Sequence, residues 1–245
     1  MKEQNNSALL AAEAAERKGV SRRRFLGYAG ALASVGMIGL QSCNSDDNNN
    51  TTTGTGINLG SGDVGVLNYA YALEQLEAAF YAQVLVTPYT GMSEAEKSLL
   101  TDIRDHEGAH REFFKQAITA AAATQIIPGL TPNFSTIDFS NRDVVLATAR
   151  TFEDLGVAAY NGAGKLITTP AYLTIAGKIV SVEARHAALI RDLISNGSFA
   201  DLSSIGAFHA DNTNGLDGAM TPTEVLAQAG KYIKEKLNAA NLPTS

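Results

Sequence analysis

The chain has 245 residues, of which 45% are apolar and 18% charged, and its net charge is −6. That is enough for one globular domain with attached segments, and the acidic balance argues against nucleic acid as a partner. A lone cysteine, Cys43, excludes an internal disulfide and a cysteine-based metal site.

Residues 1–43 read as an address. Ser21-Arg22-Arg23-Arg24-Phe25-Leu26-Gly27 precedes an apolar run that ends at Leu40. A basic stretch, a short apolar stretch and a small residue before a cut describe a secretory signal, and the run is short for a membrane span. Arg22-Arg23 followed by Phe25-Leu26 resembles the twin-arginine export signal. Leu40-Gln41-Ser42-Cys43 resembles a bacterial lipobox, which makes Cys43 the expected lipid attachment point, although Gln41 departs from the small residue usual there. Losing six basic and three acidic residues with this segment leaves 13 basic and 22 acidic ones, a net charge of −9. Residues 44–60, rich in Asn, Asp, Thr and Gly, are expected to be a flexible tether.

The rest of the chain reads as helices. Ser93-x-x-Glu96 is a capping box, Thr169-Pro170 and Thr221-Pro222 place a cap residue before a proline, and Asn196-Gly197 is a stop signal. The spacing predicts helices at about 63–86, 94–123, 142–167, 170–195 and 222–240. The second has an apolar stripe at Leu100, Ile103, Phe114 and Ala117, stepping three and four residues at a time with Glu107 and His110 inside it. The fourth repeats this with Ile179, Glu183, His186 and Ile190. Glu74 interrupts the stripe of the first helix, and Glu153 that of the third. The loop at 124–141 is long, and its use is a crossover between a second and a third helix that run parallel.

The carboxylates form a pattern. Glu107-x-x-His110 and Glu183-x-x-His186 each put both side chains on one helix face. Glu74 and Glu153 are each followed, seven residues on, by a tyrosine, Tyr81 and Tyr160, and no other Glu in the chain has Tyr at that offset. The order Glu-x6-Tyr, Glu-x-x-His therefore occurs twice, an internal repeat of two helical hairpins. Four carboxylates in one apolar core are tolerable if protonated or paired with cations. Two divalent ions balance them, and oxygen with imidazole suits Fe, Mn or Zn. On this reading Glu107 and Glu183 bridge, Glu74 and Glu153 each cap one ion, and Tyr81 and Tyr160 hydrogen-bond a ligand carboxylate.

These residues match the ferritin-like di-metal carboxylate superfamily, with one Glu from each of two helices and Glu-x-x-His from the other two. The resemblance covers about residues 63–195, and the chain looks like the bacterial ferritin-like domain proteins that travel as exported or surface proteins, a group that includes desiccation-associated proteins. It implies an all-α fold: a ferritin-like up-down four-helix bundle with a long crossover between helices 2 and 3 and an extra C-terminal helix. The bundle is expected at 61–196 and a C-terminal extension at 197–245, which departs from minimal ferritins. The implied ligands are Glu74, Glu107, His110, Glu153, Glu183 and His186 for two divalent ions, Fe first and Mn next. The expected partners are metal ions, O2 or H2O2, the membrane through the lipid anchor and, in a homodimer, a second copy of the chain. The expected location is periplasmic or cell-surface. Two functions fit: a ferroxidase or peroxide- and oxygen-scavenging oxidoreductase, and a non-catalytic protective protein whose bundle the metal stabilises.

Other residues read differently. Glu77, one turn beyond Glu74, is an alternative or additional ligand, but its repeat partner is Gly156. His106, whose repeat partner is Val182, reads as a rim or surface histidine, and His209 as a solvated loop residue. Asp211–Gly215 lacks the closing glutamate of a calcium loop. Without metal, Arg104, Arg150 and Arg185 are the candidates to neutralise the four glutamates.

Overall fold

The computed structural model describes residues 56–244. The export signal, Cys43 and residues 44–55 of the tether lie outside the described residues. The described chain is an all-α bundle of four long helices: α1 (Gly62–Val86), α2 (Glu94–Ala122), α3 (Arg142–Gly164) and α4 (Pro170–Ile194). A short helix, α5 (Pro222–Ala229), follows two 3-10 turns, and a two-residue strand β1 (Ile57–Asn58) pairs in parallel with β2 (Leu237–Asn238).

The caps explain the boundaries. Ser93 accepts from the Glu96 amide while the Glu96 carboxylate accepts from the Ser93 amide, and Thr221 and Glu224 repeat the exchange at α5. Asn141 caps α3 through the amides of Asp143 and Val144. Thr169 makes no side-chain cap. Asp63 serves that turn instead, accepting from the Thr168 and Thr169 amides at 2.8 Å, and this ties the start of α1 to the α3–α4 turn.

At the other end, Arg142 at the start of α3 donates to Glu96 at the start of α2 (2.7 Å) and to the carbonyl of Leu193 at the end of α4 (2.9 Å). These contacts fix the topology. Helices α2 and α3 start at the same end and run parallel, so the segment between them must return along the bundle. It does so over α1. Asn68, fully buried, donates to the carbonyls of Leu59 and Gln125 and accepts from the Ile127 amide, while Gln75 accepts from Leu130. Phe134 and Phe139 of the crossover pack edge-on or tilted against Phe80. Helix α1 is thus covered on every side, which is why apolar residues surround it rather than form one stripe.

Two segments depart from expectation. Of the residues read as the end of the tether, Ile57–Asn58 form β1, and Leu59 after them is buried completely. The last helix stops at Ala229 instead of about 240: a 3-10 turn follows, and Lys236 and Asn238 bond to Ile57 and Leu59. A non-local strand pairing has displaced a local helical preference. The extension is held on α3, where the Met220 amide donates to the Ala158 carbonyl.

Candidate metal centre

The four stripe glutamates, Glu74, Glu107, Glu153 and Glu183, come from the four long helices to one point, each with 0% exposure. Two sets of ligand atoms converge there, each lying within 4.8 Å of one another: Glu74, Glu107, His110 and Glu183, and Glu107, Glu153, Glu183 and His186. Glu107 and Glu183 belong to both sets, while Glu74 and Glu153 belong to one each.

The distances follow a two-fold pattern. His110 Nδ1 is 2.9 Å from Glu183 Oε1 and 3.5 Å from both Glu74 Oε2 and Glu107 Oε2. His186 Nδ1 is 2.7 Å from Glu107 Oε1 and 3.5 Å from both Glu153 Oε2 and Glu183 Oε2. Each imidazole thus comes closest to the glutamate of the other hairpin that belongs to both sets.

Short as they are, these contacts lack hydrogen-bond alignment. Glu74 Oε2, both oxygens of Glu107 and of Glu183, Glu153 Oε2 and both Nδ1 atoms are buried without a hydrogen-bond partner. Such a concentration of orphaned polar atoms is costly in a core, where buried polar groups are almost always paired. Carboxylate oxygens and imidazole nitrogens that converge without hydrogen-bonding one another are what a candidate metal site presents. Metal–ligand bonds of roughly 2.0–2.2 Å put ligand atoms up to about 4 Å apart, so the cluster is close to the size a divalent ion needs. The donor set, carboxylate oxygen with imidazole nitrogen, fits such ions.

The remaining oxygens are taken by the tyrosines, crossed between hairpins. Tyr81 of α1 donates to Glu153 of α3, and Tyr160 of α3 donates to Glu74 of α1. The seven-residue offset legible in the sequence therefore orients the carboxylate of the opposite repeat.

Without metal, protons must compensate the charge. Burial raises the Glu107 carboxyl well above its usual range, with the Glu183 charge adding to it. Burial likewise raises Glu74, and takes Glu153 up to about 7 against the pull of His186. Burial opposes charging the histidines, but the surrounding carboxylates win and push His110 and His186 up to about 12. Glu183 is the exception: burial would raise it, yet the two imidazoles hold it below the usual value. Metal entry must therefore displace protons.

The other candidates fall outside the two ligand sets. Glu77 is buried, its carboxylate filling the space that Gly156 leaves open, where an added Cβ would lie 3.0 Å from Oε1. Burial and the four neighbouring carboxylates push Glu77 well above its usual range. His209 pairs with Glu224 on the surface. Arg104 pairs with Asp105, and Arg185 is exposed. Among the described residues, the four glutamates make ion pairs with His110 and His186 alone, so the arginine reading fails. The arginine that is buried, Arg191, pairs with Asp154 instead.

His106 carries more than its sequence position suggested. It is exposed, yet its Nδ1 lies 2.9 Å from Nε2 of His186. This contact joins α2 to α4, and local sequence contains no signal for it. Beside the centre, a small apolar cavity of about 20 Å³ is lined by Phe114, Tyr160, Tyr172 and Ile175 among others.

A family model described as "Ferritin-like domain" matches residues 62–196. No curated protein matches the chain.

Proposed function

The chain belongs to the ferritin-like domain family, and from that premise we propose that its bundle holds two divalent ions and works as an oxidoreductase with dioxygen or peroxide, as a ferroxidase or scavenger. The observation that carries this is the set of eight buried, unpartnered ligand atoms at one point. Glu74 and His110 would hold one ion and Glu153 and His186 the other, with Glu107 and Glu183, which belong to both sets, shared between them. Iron is the first candidate and manganese the second.

When bound, a redox-active pair supplies Lewis acidity and electrons to a small oxygen species. The chain's own part is positional. Tyr81 and Tyr160 fix which oxygen of Glu153 and of Glu74 faces inward. The helices hold all four carboxylates out of water, where their charge acts at full strength on a cation. The imidazoles give up protons when metal enters.

Anaerobic Fe(II) loading followed by dioxygen is the test. A fast rise of near-ultraviolet absorption, abolished in Glu107→Ala, supports the redox reading. Bound iron with an unchanged spectrum refutes it and leaves metal that only holds the bundle together.

Export belongs to the same proposal: residues 1–43 carry the protein through the twin-arginine route, and Cys43 anchors it by lipid at the cell envelope. Replacing Arg22 and Arg23 by Lys is then expected to leave precursor in the cytoplasm, and normal export of that variant refutes it.

A further inference from the structure

The two halves of the centre obey the same rule almost throughout. Tyr81 serves Glu153 as Tyr160 serves Glu74. His186 approaches Glu107 as His110 approaches Glu183, at 2.7 and 2.9 Å. One residue breaks the correspondence next to a ligand imidazole. One turn before His110 on α2 stands His106, and one turn before His186 on α4 stands Val182. A valine side chain can neither donate nor accept a hydrogen bond.

We propose that His106 is a positioning residue that makes the two metal positions unequal, so that the position of Glu107, Glu153, Glu183 and His186 fills first. The inference rests on the di-metal reading above and adds an order of filling to it.

The argument is geometric. His186 turns Nδ1 toward the carboxylates and Nε2 toward His106, whose Nδ1 is 2.9 Å away. The two ring planes lie within 15° of parallel and their centres are 5.2 Å apart, a separation that a 2.9 Å contact between nitrogens reaches only with the rings end to end, so both nitrogens lie near the plane of both rings. For Nδ1 of His186 to offer a lone pair to a cation, the ring's proton must sit on Nε2. That N–H then donates to Nδ1 of His106, whose own proton sits on Nε2. This one hydrogen bond locks the ring angle of His186 before any ion arrives, and it holds the proton that stays on Nε2 when Nδ1 turns its lone pair to the ion. Outer partners of this kind typically contribute about 10–100-fold in metal affinity. At the position equivalent to His106, α4 offers Val182, which can supply no such hydrogen bond to His110. His110 is also the more exposed of the two, 14% against 5% of its side chain.

The test is a titration of the metal-free full chain with Mn(II), reading free Mn(II) by electron paramagnetic resonance, with Co(II) absorption as the optical check. Wild type is expected to bind in two steps separated by at least about tenfold. His106→Ala should weaken the tight step by about 10–100-fold, leave the weak step in place and keep the thermal midpoint of the metal-free protein. His106→Asn, which returns an acceptor at the same branch of the side chain, should restore most of the loss. Two equal steps in wild type overturn the proposal while the di-metal reading stands. So does a His106→Ala variant that weakens both steps alike or neither, or an Asn variant no better than Ala. Binding of less than one ion by wild type sinks the di-metal reading itself, and this proposal with it.

Discussion

Replacing Tyr160 by Phe removes one oxygen from the core and leaves its aromatic ring. In the structure that hydroxyl is the donor to Glu74 Oε1, and Glu74 has no exposure to water. Hydrogen bonds to charged groups are worth about 1.5–3 kcal/mol, and an orphaned buried acceptor cannot recover that from solvent. The metal-free protein has an escape. Burial already raises the Glu74 carboxyl, so a proton can take the place of the lost donor, and the stability loss should stay at about 1 kcal/mol or a few degrees in Tm. A bound cation removes the escape, because Glu74 must then be ionised. The full cost falls on affinity: about 10–100-fold at the Glu74 position, at 1.4 kcal/mol per decade. Calorimetric titration with Mn(II) should show the step assigned to Glu74, Glu107, His110 and Glu183 weakened and the other unmoved, with Tyr81→Phe giving the mirror result through Glu153. Equal weakening of both steps by Tyr160→Phe, or of neither, would refute the crossed assignment of tyrosines to ligands.

Three further outcomes follow from the same geometry. Glu153, raised to about 7, contributes stability to the metal-free protein that is complete below its unfolded value of 4.5 and is lost as pH climbs through 7. Over that range fewer protons also compete with metal, so the Tm gap between metal-loaded and metal-free protein should widen from pH 5 to 7.5; a constant or shrinking gap in calorimetry contradicts this. Asp154→Ala strands the buried Arg191 guanidinium and should cost about 3–5 kcal/mol in urea unfolding, while Asp154→Leu with Arg191→Met should recover most of it. Gly162→Ala would put a Cβ 1.8 Å from the Met220 carbonyl oxygen, so the segment at 218–222 must leave α3. Protease should then cut the C-terminal extension faster, with metal stoichiometry unchanged.

The bundle was legible because its signals are local. The capping box at Ser93 and the cap residues before the prolines at 170 and 222 mark helix starts to within a residue. The meeting of Glu107, Glu153 and Glu183 was legible because each interrupts an apolar stripe at its middle, and a stripe has only one direction to face; Glu74, on a helix apolar all round, was legible through the repeat that sets Tyr81 seven residues on as Tyr160 follows Glu153. What the sequence hid depends on distant partners. Residues 233–240 carry a tolerable helical pattern, and only the arrival of Ile57 and Leu59 makes them a strand and its flanks. Glu77 lies one turn from Glu74, and although the repeat pairs it with Gly156, only the structure shows its carboxylate filling the space that glycine leaves. His106 looked like a rim residue because its partner is 80 positions away on another helix.

Anomalous diffraction from crystals soaked in Mn(II) tests the central claim most directly. Two peaks are expected about 3.5–4 Å apart, as in other two-metal sites, one beside Glu74 and His110, one beside Glu153 and His186, with Glu107 and Glu183 reaching both. Density for manganese elsewhere on the protein, with none among these six side chains, would contradict the account.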